Sequence, residues 1–167
     1  MHRYFLVLFI ALIGLASCNE KDAKTAGDSS LQAKIDGILF EPEFSTGVLT
    51  NIAVATISIS GNDANGKQIS LLVPEDAPVG TLSLDKLSGT MIGYTASYQV
   101  DNSSDNGGLA VWGFITIAAH DRDTNHIKGS FSFETAPFVV LDGDPAPTYS
   151  ITEGAFDVTY LDADTDF

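Results

Sequence analysis

From residue 34 onward, apolar side chains recur at every second position, and no stretch of ten or more residues carries them at helical spacing. Ile92, Tyr94, Ala96, Tyr98 and Val100 alternate with Gly93, Thr95, Ser97 and Gln99. Phe131 and Phe133 alternate with Ser130, Ser132 and Glu134, and Phe156, Val158 and Tyr160 with Asp157 and Thr159. Neighbouring side chains on a strand point to opposite faces, so each row describes a strand with one apolar and one polar side. A lone sheet built this way leaves its apolar side in water and must pack on a second layer or close on itself. The expected fold is therefore all-β: an antiparallel β-sandwich of about eight strands, near 35–40, 48–60, 67–73, 80–85, 91–100, 108–119, 126–136 and 149–161. A closed or partly open antiparallel β-barrel, lipocalin-like, is the alternative.

The punctuation between these rows is hairpin chemistry: Gly61 to Gly66 (GNDANG), Asn102 to Gly108 (NSSDNGG), His120 to Asn125, and the prolines Pro74, Pro78, Pro145 and Pro147. Two segments break the alternation. In NIAVATISIS, Ile52 and Val54 fall on the opposite parity to Ile57 and Ile59, which calls for a bulge near Ala55 or Thr56, or a bend between sheets. In GLAVWGFITIAA, Leu109, Val111, Ile115 and Ile117 oppose Trp112 and Phe114, so both faces are apolar. Either the strand is central and covered on both sides, or Trp112 faces a groove. The FVVL run at 138–141 reads as an edge strand or a hydrophobic loop plugging one end.

The N-terminus is of a different kind. Residues 1–17, MHRYFLVLFIALIGLAS, open on His2 and Arg3 and continue as an uncharged apolar run. A spanning helix needs about 20 apolar residues, so this run fits a signal peptide better than a membrane span. Its end, Leu15-Ala16-Ser17-Cys18, resembles the lipobox of bacterial lipoproteins. That resemblance implies a diacylglyceryl group on the Cys18 thiol, cleavage before Cys18 and acylation of the new amine. Acyl chains give about 0.8 kcal/mol per buried methylene, and several together hold a protein firmly on a membrane. Cys18 is the sole cysteine, so no disulfide framework competes for it.

The organisation that follows is a signal peptide at 1–17, a polar tether at 18–33, a single all-β domain at 34–161 and an acidic tail at 162–167. The chain carries 22 acidic against 8 basic residues, a formal net charge of −14, and loses only Arg3 among these with the signal segment. A nucleic-acid partner is excluded on this ground, because such binders neutralise phosphates with Lys and Arg. The expected partners are a membrane, through the lipid, and a protein or a glycan. Nothing in the sequence calls for a cofactor.

Laid out in order, LQAKIDGILFE, ISGNDANGKQISLLV, GTLSL, YTASYQV, GFITIAAHDRDTNHIKGSFSFET and ITEGAFDVTY resemble a family of small lipoproteins of unknown function from Bacteroidetes, especially flavobacteria. The most specific piece is a strand pattern N-x-I-x-G-x-F-x-F, met here by Asn125, Ile127, Gly129, Phe131 and Phe133. The opening departs from the family, which often carries a tryptophan near a glycine pair where this chain has Gly37-Ile38-Leu39-Phe40. Glu20-Lys21-Asp22 also looks like the acidic and lysine signal that follows the cysteine in surface-exported lipoproteins of that phylum. The resemblance implies an outer-membrane lipoprotein, facing periplasm or cell surface, and carries over no catalytic residue.

The densest polar cluster is His120-Asp121-Arg122-Asp123-Thr124-Asn125-His126. His120, Asp121, Asp123 and His126 are donor types that suit Zn²⁺, provided three or four converge. The hairpin offers at most a pair, and a solvated loop explains it better. His126, next to core-facing Ile127, is expected in solvent. Asp162, Asp164 and Asp166 alternate like the start of a Ca²⁺ loop without its glycine or distal glutamate, and Asp142-Gly143-Asp144 reads as a turn. Among the aromatics, Trp112, Tyr94 and Tyr98 are the candidates for contacting a ligand. The expected function is a non-enzymatic binding or structural accessory domain. Second comes a carrier of a small apolar ligand or glycan in an internal cavity, and last a metal-dependent hydrolase using His120 and His126.

Overall fold

The computed structural model describes residues 29–51, 53–84, 94–101, 107–137 and 149–163. The signal segment, Cys18, most of the tether, Ile52, Ile92, FVVL at 138–141, Asp142–Asp144, Asp164 and Asp166 lie outside the described residues.

The described chain is all-β and sandwich-like. Its ten strands are β1 (Ser30–Ile35), β2 (Ile38–Phe40), β3 (Phe44–Thr50), β4 (Thr56–Asn62), β5 (Gln68–Pro74), β6 (Gly80–Ser83), β7 (Thr95–Gln99), β8 (Gly107–Asp121), β9 (His126–Pro137) and β10 (Ser150–Asp162). All ten strands belong to one hydrogen-bonded sheet, in the order β2-β1-β10-β3-β4-β5-β7-β8-β6, with β9 paired to both β10 and β8. Folded over, the sheet forms one layer of β2, β1, β10, β9, β8 and β6 and another of β3, β4, β5 and β7. Two short joints carry the ladder between them. At one, β3 runs parallel to β10 over Gly47↔Tyr160 to Leu49↔Asp162; at the other, β7 runs antiparallel to β8 over Ser97↔Leu109 to Gln99↔Gly107.

Alternation fixes which side of each strand is buried. In β4 every second residue from Ile57 is buried, and in β5 Ile69, Leu71 and Val73 do the same. These meet Ile115, Ile117, Ile127, Phe131, Phe133, Ile151, Phe156, Val158 and Tyr160 from the other layer in one core. Burying an Ile or Phe stabilises by about 1.5–3 kcal/mol, so these rows dominate the energetics. Glycines let neighbouring strands pack closely at particular points. A Cβ at Gly47 would lie 2.6 Å from Val158 Cγ1, and one at Gly154 would lie 2.5 Å from the Phe131 ring. Thr135 is a buried polar residue, and its Oγ1 accepts from the Tyr149 amide at 3.1 Å.

The strand count departs from about eight for two local reasons. The stretch 35–40 is the end of β1, a two-residue turn at Asp36-Gly37, and β2. Both turn residues have positive φ, 51° and 80°, as a type I′ hairpin requires. β1 also begins earlier than the expected tether boundary at 33, because Leu31 and Ala33 bury against β10 once Leu31 pairs with Phe156. The stretch 48–60 is not one bulged strand: the chain reverses between Thr50 and Thr56, and β3 and β4 pair from Phe44↔Asn62 to Thr50↔Thr56. The parity change before Ile57 is thus a hairpin, with Val54 exposed in its connection.

Strand β8 is the long irregular element. Its ladder with β9 slips between Ala110 and Trp112, and again between Ile117 and Ala119, leaving Val111 and Ala118 as extra residues. Between the slips Ile115 faces the core, while Trp112 and Phe114 face outward at 56% and 43% exposure. Of the two accounts of its apolar faces, the fully covered strand does not hold, and Trp112 facing a groove does.

Candidate functional site

The β8–β9 hairpin does not gather the four candidate metal donors. The slip at Ala118 turns His120 toward the core side, where its Nε2 lies 3.0 Å from the Tyr160 hydroxyl. His126 projects on the outer side and pairs with Asp157 Oδ1. Asp121 is spent locally: its Oδ1 accepts from the amides of Asp123 at 2.9 Å and Thr124 at 3.2 Å. Those bonds, with the Thr124 hydroxyl first among the causes, hold its carboxyl below the usual range. Asp123 is exposed in the turn. Among the described residues, no three His, Cys, Asp or Glu side chains are grouped to hold a metal ion.

His120 has an environment of its own. Burial, then the nearby Arg122 charge, lowers its pKa, with Glu75 and Asp121 opposing. Arg122 is held off by Glu75, whose Oε1 receives its Nε at 2.8 Å and whose backbone oxygen receives Nη2 at 2.9 Å. His120 Nδ1 is buried without a hydrogen-bond partner. A neutral ring donating from Nε2 to the Tyr160 oxygen leaves only a lone pair unsatisfied at Nδ1, the less costly of the two tautomers. Burial also raises the Tyr160 phenol. The pair is a base beside a reluctant acid, with no nucleophile brought to it among the described residues.

The three aromatic candidates also part company. Tyr98 is buried at one end of the sandwich, edge-on to Tyr149 with ring centroids 4.9 Å apart. Burial, then Tyr149 and the carboxylates of Asp63 and Asp36, push its phenol up to about 12. It borders a cavity of about 340 Å³ beside the β1–β2 hairpin, where Ile38 and Leu39 are exposed. Tyr94, 44% exposed, stands just before β7.

Trp112 lies on the outer face of β8 and borders a shallow groove of about 380 Å³ with Gly113, Ser132, Glu134, Ser150 and Thr152. Gly113 holds a φ of 134° and packs its Cα side against the Ser132 carbonyl, where a Cβ would be 2.1 Å from that oxygen. No larger residue fits, so the groove floor is bare backbone. Phe114 and Glu134 complete this neighbourhood: Phe114 shares the outward side of Trp112, and Glu134 is the cross-strand partner of Trp112. Sequence reasoning set Phe114 on the same side as Trp112 without making it a contact candidate, and did not single out Glu134. The W-G-F spacing carries the Phe114 signal, whereas Glu134 is found only through the slipped register.

No solved structure matches the chain, and neither does any curated protein. Residues 27–158 match the family described as "Domain of unknown function (DUF6252)", which spans the described fold from before β1 into β10. On that match the chain belongs to the DUF6252 family.

Proposed function

We propose that this chain is a non-enzymatic binding domain of the bacterial envelope, tethered to the outer membrane by acyl groups on Cys18. The observation that carries the binding half is a separation of chemistry. His120 turns inward to Tyr160 and His126 outward to Asp157, so the polar groups suited to catalysis act on different sides of the sheet. The exposed aromatic pair Trp112 and Phe114 meanwhile sits on an open outer face. Catalysis needs a base, a nucleophile or metal, and a reacting atom within hydrogen-bond reach of one another. An outward aromatic pair serves contact with a partner instead.

The anchoring half rests on the Leu15-Ala16-Ser17-Cys18 sequence and the polar residues after it. It is tested by mass spectrometry of protein extracted from its native membrane. The expected N-terminal peptide starts at Cys18 and carries acyl chains, and Cys18→Ala loses them and the membrane association. A free thiol at Cys18 in membrane-extracted protein would overturn the anchor. Surface proteolysis of intact cells then assigns the domain to the outside or to the periplasm.

A further inference from the structure

We infer that the outer face of β8, β9 and β10, centred on Trp112 and Phe114, binds a neutral carbohydrate chain; this rests on the binding reading given above. Trp112 and Phe114 occupy alternate positions of β8 on one side, so their Cα atoms stand about 7 Å apart along the strand. Beside them lies the groove floored by Gly113, with the Glu134 carboxylate and the Ser150 and Thr152 hydroxyls along it. Farther along the same face, Thr81 and Thr116 share a hydroxyl–hydroxyl contact of 2.9 Å. Ser130, Ala155 and Gln32 follow in cross-strand register. The surface thus alternates flat apolar rings with rows of hydroxyl, amide and carboxylate groups.

Charge narrows the occupant. The chain as a whole is strongly acidic, at −14, and the outer face of these strands keeps that sign, with Lys34 and Lys128 set among the carboxylates of Glu134, Glu153 and Asp157. Lys34 pairs with Glu153 at 2.7 Å, His126 with Asp157, and Lys128 stands opposite Asp157 in the ladder. Glu134 has no cation paired with it among the described residues. An anionic ligand meets Glu134 and the field of the whole chain. A purely aliphatic ligand strips water from Glu134, Ser150 and Thr152 without replacing their hydrogen bonds. A neutral sugar chain presents C–H faces to the rings and hydroxyl edges to the carboxylate and hydroxyls, and the open groove lets a chain pass through.

Trp112 is the sole tryptophan, so its fluorescence reports on this face alone. The full-length protein is titrated with soluble neutral glucans, mannans and xylans and run in native gels containing the same polymers. At least one polymer is expected to shift the Trp112 emission and retard the protein. Trp112→Ala and Phe114→Ala should each weaken retardation by about tenfold or more, the effect of removing a central aromatic anchor. Leu72→Ala, at an exposed site in the other layer, should not. Both aromatic positions are exposed, so the variants are expected to melt with the wild type. No response to any polymer by folded protein, or retardation untouched by Trp112→Ala, overturns the inference and leaves an anchored binding domain with some other partner. A fall in oligomeric state on Trp112→Ala overturns it too, assigning the face to a second copy of the chain. Release of reducing ends from a retained polymer would instead refute the non-enzymatic reading while keeping the carbohydrate face.

Discussion

Gly154→Ala is the sharpest test of the packing. Gly154 lies on β10 opposite Phe131, where the ladder to β9 shifts. A Cβ there would be 2.5 Å from both Cδ2 and Cε2 of the ring, whereas ordinary contact begins at 3.4 Å, so the ring must retreat by about 0.9 Å. Phe131 is 1% exposed and is flanked by Phe133 and Phe156, with centroids at 6.0 and 6.4 Å. A ring in a close-packed interior has no empty space to enter. Gly154 is not among the positive-φ residues, so alanine meets no backbone strain and by itself would stabilise by about 0.4–1 kcal/mol through the unfolded chain. Overpacking costs about 1–3 kcal/mol, which outweighs that gain. The expected net is a loss of about 1–2 kcal/mol, or roughly 2–8 °C in melting temperature for a domain of this size. Urea unfolding followed by circular dichroism measures it, with Phe131→Leu as the partner substitution. The smaller side chain should recover part of the loss in the double variant, with a coupling of about 0.5 kcal/mol or more. A neutral or stabilised Gly154→Ala protein, or strict additivity with Phe131→Leu, would refute the close approach.

The Asp36-Gly37 turn is anchored by the Ser150 amide, which donates to Asp36 Oδ1 at 2.9 Å; Asp36→Ala should cost about 1–2 kcal/mol and Asp36→Asn less, measured by the same unfolding assay. Because burial lowers the pKa of His120 below its usual 6.5, the unfolded chain binds that proton more readily; stability should be full above about pH 6.5 and fall as pH drops through the folded value, and His120→Asn should flatten this slope. Tyr160→Phe strips His120 Nε2 of its partner beside the orphaned Nδ1 and should destabilise by about 1–3 kcal/mol, again read from denaturant midpoints. In an alkaline ultraviolet titration, Tyr98→Phe should remove a phenol ionising near 12.

Where a strand keeps its register, its sequence was enough to orient it. The alternation in QISLLVP and TASYQ names the buried residues of β5 and β7. The alternation in β10 does so from Gly154 onward. What local pattern missed depends on a partner. Asp36-Gly37 is a hairpin signal in its own right, yet it splits strands so short that 35–40 read as one strand. The reversal between Thr50 and Thr56 looks, in one dimension, the same as a bulge. The two extra residues of β8 are defined only by what β9 places opposite them. Strict alternation from Ile117 would send His120 outward, toward the side of His126; the slip at Ala118 separates the histidines instead. The same dependence hides Glu134 as the neighbour of Trp112.

β10 borders β9 along one edge and both β1 and β3 along the other. Leu31 pairs with Phe156 and Gly47 with Tyr160, contacts that span most of the domain and are entropically slow to close. A fragment ending before Ser150 would leave three unsatisfied strand edges facing water at once, each a template for another chain. Assembly must wait for its final piece, and any nick, truncation or stalled synthesis that withholds this piece turns a self-contained fold into an aggregation hazard.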